Sequence, residues 1–139
     1  QLDRAHIRHI RGGLYSHWHP DHTMGRRVWE TLNADPRSMP AHHRRSDVYV
    51  PTGVLEDFKR FGVMSHFDFL AQRFINLVLM GPERRYELNG CSVTAIPLAM
   101  ERTYAFLFEG RRDRLFPPAR AGGDGRDPGV DAAFELERS

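Results

Sequence analysis

The side chains best equipped for chemistry lie in one short segment, Ser16-His17-Trp18-His19-Pro20-Asp21-His22-Thr23-Met24-Gly25, whose core pattern is H-x-H-x-D-H. His17 and His19 are two residues apart, so on an extended chain they project to the same side and can share one metal ion. Pro20 then bends the chain. Asp21 and His22 fall where the following helix begins, within reach of a second metal or of the water between two metals. Imidazole plus carboxylate is a ligand set suited to zinc, iron or manganese. A catalytic site of this kind leaves one metal position open for water and lowers its pKa toward about 7. A shuffled chain of the same composition shows the pattern roughly twice in a thousand trials, so chance is a poor account of it. The bland alternative is a cluster of exposed or packed histidines without chemistry.

The elements that must position this segment can be read from periodicity and breakers. Asp3 to Arg11 reads as a short helix ended by Gly12-Gly13. Leu14-Tyr15-Ser16 reads as the end of a strand. Thr23 to Leu32 reads as a helix with Val28, Trp29 and Leu32 toward the core. Asn33 to Arg45 is loop. Val48-Tyr49-Val50 is a short strand stopped by Pro51, and Thr52 is placed to cap a helix reaching about Phe61, with Val54, Leu55, Phe58 and Phe61 on its apolar face. Phe74 to Met80 is a strand. Arg84 to Leu88 and Cys91 to Ile96 flank Asn89-Gly90, a tight-hairpin signal. Tyr104 to Phe108 is a further strand, and Gly110 turns the chain into Leu115-Phe116. Pro117 to Gly129 is rich in Pro and Gly, and Val130 to Arg138 reads as a short amphipathic helix. Strand signals cluster after residue 74, which predicts an α/β fold with a mixed or antiparallel sheet.

Composition narrows the class. The 139 residues suit a single domain over 1–139. With 40% hydrophobic and 11% aromatic residues, a soluble globular chain is expected rather than a disordered one. No apolar run approaches the roughly 18 to 20 residues that a membrane span needs, and no basic-then-apolar leader opens the sequence. The lone Cys91 excludes an internal disulfide and a cysteine-built zinc cluster within one chain. It reads as a packed strand residue, and cysteine usage fits a reducing, cytoplasmic setting. Net charge is +2, and the 20 basic residues are all Arg except Lys59. Arg suits bidentate phosphate binding, which keeps a small phosphorylated substrate open. The 18 acids interspersed with them describe mostly a solvated surface. No basic block marks a nucleic-acid arm, so nucleic acid is the weaker partner.

The segment 16–25 resembles the signature loop of the metallo-β-lactamase superfamily, an αββα sandwich whose members are mostly metallohydrolases. Leu14-Tyr15-Ser16 before it and Thr23-Met24-Gly25 after it match the strand–loop–helix setting. Ser92-Val93-Thr94-Ala95-Ile96-Pro97-Leu98, followed by Tyr104-Ala105-Phe106-Leu107-Phe108-Glu109, is similar to the later strand pair, in a spelling nearest the cyclic phosphodiesterase and RNA-processing-like branch. The resemblance spans most of residues 10 to 116. It implies one or two zinc, manganese or iron ions, with His17 and His19 on the first metal and Asp21 and His22 on the second. It implies that Asp21 is catalytic and orients the attacking water. The implied reaction is hydrolysis by a metal-bound hydroxide, with a phosphodiester preferred and a thioester or lactone open.

Several positions depart from the family pattern. Met100 stands where a histidine usually completes the first metal shell, and a thioether is a poor ligand beside oxygen donors. Glu101, its neighbour, is the candidate substitute, since carboxylate is an accepted zinc ligand. Leu115 to Arg120 lacks the bridging aspartate, and Asp124 is a weak replacement. No histidine follows His66, which itself could be delivered as a ligand or could simply cap or pack. His42-His43 with Arg44-Arg45 could face an anionic substrate, although a solvated loop accounts for them better. His6 and His9 are three apart on the first predicted helix and read as surface. The rival account is therefore a non-catalytic metal-binding or interaction module with a degraded site. Only sixteen residues precede His17, so the sandwich is expected to be truncated or incomplete at its N-terminus. Either the chain is part of a longer one or a partner supplies the missing sheet. A sheet lacking those strands has an exposed edge that invites pairing, and a homodimer is expected. Sedimentation measures this directly: a well-folded monomer at micromolar concentration would count against it.

Overall fold

The described residues form a mixed α/β arrangement of two three-stranded sheets and a set of helices. The computed structural model describes residues 4, 7, 9–34 and 43–110. The elements are β1 (Gly12–Leu14), α1 (Pro20–Thr23), a single 3-10 turn (Met24–Arg27), α2 (Val28–Asn33), β2 (Ser46–Pro51), α3 (Thr52–Arg60), α4 (Met64–Arg73), β3 (Ile75–Met80), β4 (Arg85–Leu88), β5 (Cys91–Pro97) and β6 (Tyr104–Glu109). The first sheet is parallel, in the order β1-β2-β3, and the second is antiparallel, in the order β4-β5-β6.

The central strand β2 is buried at five of its six positions, as a parallel strand covered on both faces should be. Alternation then splits it. Val48 and Val50 join Ile75 and the helical residues Trp29, Val54, Phe58, Phe67 and Leu70 in one core. Tyr49 joins Met80, Val93 and Ala95 in a second core, against which Leu14, Val78, Phe106 and Phe108 pack. The order of layers is therefore helices, parallel sheet, antiparallel sheet. The segment that carries the chain from β2 back to β3 is α3 and α4, whose Phe58 and Phe67 rings stack with centroids 4.7 Å apart.

The hairpin between β4 and β5 forms as its Asn-Gly signal predicts. Asn89 and Gly90 both have positive φ, 54° and 82°, which suits a turn twisted like its strands. Helix α3 ends in a Schellman motif: Gly62 takes φ 73°, Val63 N donates to Phe58 O at 2.8 Å and Gly62 N to Lys59 O at 3.4 Å. Cys91 is buried, as a packed strand residue should be.

Four expectations are corrected. The described residues Ile7 and His9 to Arg11 are not helical, and Gly12-Gly13 begins a strand instead of ending a helix. A Cβ on Gly13 would lie 2.7 Å from the Trp29 ring, so close packing calls for glycine there. Four of the six strands do lie after residue 74 and β4 to β6 form an antiparallel sheet, but β3 belongs to a separate parallel sheet with β1 and β2 in place of one mixed or antiparallel sheet. Thr52 is not the cap of α3; Pro51 occupies that position and no side chain caps it. Finally, α4 covers a stretch for which no element is predicted. Its core residues Phe67 and Leu70, with Phe74 just beyond, follow helical spacing. The predicted elements after residue 110 and the residues 1–3, 5, 6, 8 and 35–42 lie outside the described residues. Among those described, no helix is long and apolar enough to cross a membrane.

Phe58 is fully buried between helices and sheet. Truncation to Ala should lower unfolding free energy by about 3–5 kcal/mol, read from urea denaturation. A loss within about 0.5 kcal/mol would contradict this core assignment.

Candidate functional site

The histidine loop leaves β1 at Tyr15, and its root is held from two directions. Tyr15 N donates to Tyr49 O at 3.1 Å, which extends the parallel pairing by one residue. Ser16 O accepts from Tyr104 N at 3.0 Å, which ties the next peptide to the start of β6. Beyond them, His19 is extended (φ −50°, ψ 145°) and Pro20 opens α1. Residues before proline favour extended backbone, and proline suits the first helical position. His19 O accepts from His22 N at 3.0 Å and Thr23 N at 3.1 Å, and the Thr23 hydroxyl donates to the same oxygen at 3.1 Å. Asp21 lies in the first turn of α1, where the helix dipole favours a carboxylate.

This backbone gathers the predicted ligands. The His17 and His19 rings lie edge to face with centroids 4.8 Å apart, and the His17 and His22 centroids are 4.0 Å apart. His22 Nε2 lies 3.2 Å from Asp21 Oδ2, with both side chains well exposed. The Ser16 hydroxyl is 2.9 Å from His17 Nδ1. With Nδ1–H donating to that hydroxyl, Nε2 keeps its lone pair for a ligand. Desolvation lowers the His17 pKa below its ordinary 6.5, and His22 and His19 add to this while Asp21 opposes it. A neutral imidazole is the form that coordinates a metal. The donor types therefore fit a divalent ion. In the arrangement seen, however, no group of three or more His, Cys, Asp or Glu side chains among the described residues is poised to hold one.

Glu101 does not join the histidines. Its side chain is 86% exposed and lies 3.7 Å from Arg102 Nε. Met100 is exposed. His66 is not a delivered ligand either: its Nδ1 accepts from Arg26 Nε at 2.8 Å, so it packs α4 against the 3-10 turn. Its pKa is lowered by desolvation first and by Arg26 next. Arg45 reaches back to the carbonyls of Ala71, Gln72 and Ile75 at 2.7–2.9 Å, so it caps the end of α4 instead of facing a substrate. His43 lies beside the Phe74 ring, with centroids 5.1 Å apart. His9 is exposed. His6, His42 and Asp124 lie outside the described residues.

Beside the loop opens a cleft of about 180 Å³ lined by Trp18, Asp57, Arg60, Phe61, Glu101 and Arg102. Trp18 lies flat on Phe61, with centroids 3.8 Å apart and planes at 16°. Arg102 donates to Asp57 Oδ1 at 2.6 Å and lies 3.6 Å from Glu56. This hydrogen bond and charge raise the Arg102 pKa. Of the residues lining this cleft, only Glu101 is a predicted site residue, and it was expected as a metal ligand. Asp57 alone left a signal, as a carboxylate next to Phe58 on the apolar face of α3. The Arg102 link across 45 residues has no local signature.

No protein-family model matches this chain, and no curated protein and no solved structure matches it.

The lowered pKa values of His17 and His66 set a sign for pH dependence. Below about pH 6.5 the unfolded chain takes up protons on these imidazoles that the folded chain resists, so stability falls as pH drops. The urea midpoint should decline as pH falls below 6.5, and His17→Gln and His66→Gln should each flatten that decline. An unchanged slope in both variants would sink the attribution.

Proposed function

We propose that this chain is a metal-dependent hydrolase built on a metallo-β-lactamase-like αββα sandwich, acting on a phosphodiester. The observation that carries the reading is the H-x-H-x-D-H loop, in which the His17 ring lies 4.8 Å from that of His19 and 4.0 Å from that of His22 at the exit of a parallel strand. The layering of helices, parallel sheet and antiparallel sheet is compatible with three of the four layers of that sandwich.

In this reading His17 and His19 hold the first ion, with His22 and Asp21 adjacent to hold a second. Zinc, manganese or iron suits such donors. A bound ion would supply Lewis acidity at the scissile group and lower the pKa of its water. The chain's own contribution is positional. Ser16 orients His17 through Nδ1. Asp21 stands beside His22, where a carboxylate can accept a proton from an incoming water. The exposed Asp21–His22 pair is worth little in solvent, so it presents only a small barrier to an incoming cation. Arg60 lines the neighbouring cleft, where Arg geometry suits a phosphoryl group, while the Arg102 guanidinium is already paired with Asp57, Glu56 and Glu101.

A second reading, a non-catalytic metal-binding or interaction module, is favoured by two observations. Glu101 pairs with Arg102 in solvent, and no three-donor group is assembled among the described residues.

Elemental analysis of the purified protein, paired with hydrolysis of a chromogenic phosphodiester, separates the two. Near-stoichiometric metal with turnover is expected, and His19→Ala should lose both. Metal without turnover supports the module. Unchanged hydrolysis in His19→Ala would overturn the assignment.

A further inference from the structure

The Trp18–Phe61 contact is the shortest and flattest ring pair among the described residues, at 3.8 Å and 16°. It is not a core contact, because Phe61 is 43% exposed. Three backbone features place this ring: the close of α3 at Arg60, the left-handed Gly62 and the bond from Val63 N to Phe58 O. The Arg60 guanidinium lies 5.2 Å from the Phe61 centroid. From the stack, ring contacts run along the loop. Trp18 meets His19 with centroids 5.0 Å apart at 75°. His19 meets His17 at 4.8 Å and 81°. Trp18 lies between the two predicted ligands in sequence, so a rotation of its indole must disturb the imidazole that packs against it.

The geometry points to Phe61 and Trp18 as positioning residues for His17 and His19: the end of α3 sets the indole, and the indole sets the imidazole pair. This rests on the metal-binding reading of the loop for its purpose, and on the ring contacts alone for its geometry. Side chains that orient metal ligands without touching the ion commonly govern affinity.

Two readouts test it in the full chain. Without metal, the nuclear Overhauser effect between the His17 and His19 ring protons reports their approach. With cobalt(II), calorimetry reports affinity and the visible spectrum reports coordination. Phe61→Ala should abolish the ring–ring effect and weaken cobalt binding by about tenfold or more, while Phe61→Tyr, which keeps the stacking face, should restore both. If Phe61→Ala fails to fold, Phe61→Leu is measured in its place, with the same losses expected. Retention of the ring–ring effect in the folded Ala or Leu variant would overturn the proposal. A wild-type protein that binds no cobalt would defeat the metal reading, and the metal-free measurement would still decide whether Phe61 positions the imidazoles.

Discussion

Tyr15 bears the histidine loop. Its ring meets Phe58 and Phe67 edge to face, with centroids 5.8 and 5.1 Å away, a favoured aromatic geometry. Its hydroxyl accepts a buried hydrogen bond from Trp29 Nε1 at 3.0 Å. Its amide belongs to the parallel sheet. One residue therefore joins α2, α3, α4 and the sheet immediately before the loop begins. Burial raises its pKa above the ordinary 10.0, so it stays neutral and can make these contacts without a desolvated charge. Because Tyr15 is fixed, the first histidine two residues on has little freedom in where it starts.

The loop is bounded on its far side by parts of the chain distant in sequence. The turn between β5 and β6 places Arg102 at a positive φ of 54°, a conformation disfavoured for a side chain of this kind. The bond to Asp57, a carboxylate that is itself buried, offsets that cost and satisfies a charge that would be expensive alone. Gly53 permits the approach: a Cβ there would lie 2.6 Å from the Tyr104 hydroxyl. The same turn donates the Tyr104 amide to Ser16. The antiparallel sheet thus reaches the histidine loop and α3 through adjacent residues, and the cleft is the space between them.

What was legible in the sequence follows from how local each signal is. The Asn89-Gly90 hairpin, the strands at Val48–Val50 and Cys91–Ile96, and helix α3 are encoded in short stretches, and they form where expected. The histidine spacing is equally local, and the rings gather. The parallel sheet was hidden because β1 is three residues long and opens with two glycines, selected by the nearness of Trp29 and Asp47, not by strand propensity. Helix α4 was hidden because its buried Phe67 and Leu70 are interleaved with His66, Asp68 and exposed Phe69, which blurs the apolar face. The relation of Glu101 to the loop depended on a turn geometry that no nearby residue announces.

This division bears on what the site can do. The four candidate donors lie within six residues, and Pro20 and the first turn of α1 dictate their spacing. That turn fixes where the donors fall along the chain, while the orientation of the His17 and His19 rings also depends on the Trp18–Phe61 stack at the end of α3. Selectivity is different, because the cleft takes Trp18 from the loop, Asp57, Arg60 and Phe61 from α3 and its end, and Glu101 and Arg102 from the distant turn. Its shape exists only when both sheets and α3 are docked. In the proposed hydrolase, the order of the donors along the chain would be local, while the orientation of their rings and the recognition of a substrate would both report on the tertiary fold. A substitution that loosens the docking of the antiparallel sheet on the parallel one should therefore disturb the cleft and, through the bond from Tyr104 N to Ser16 O, the root of the histidine loop together.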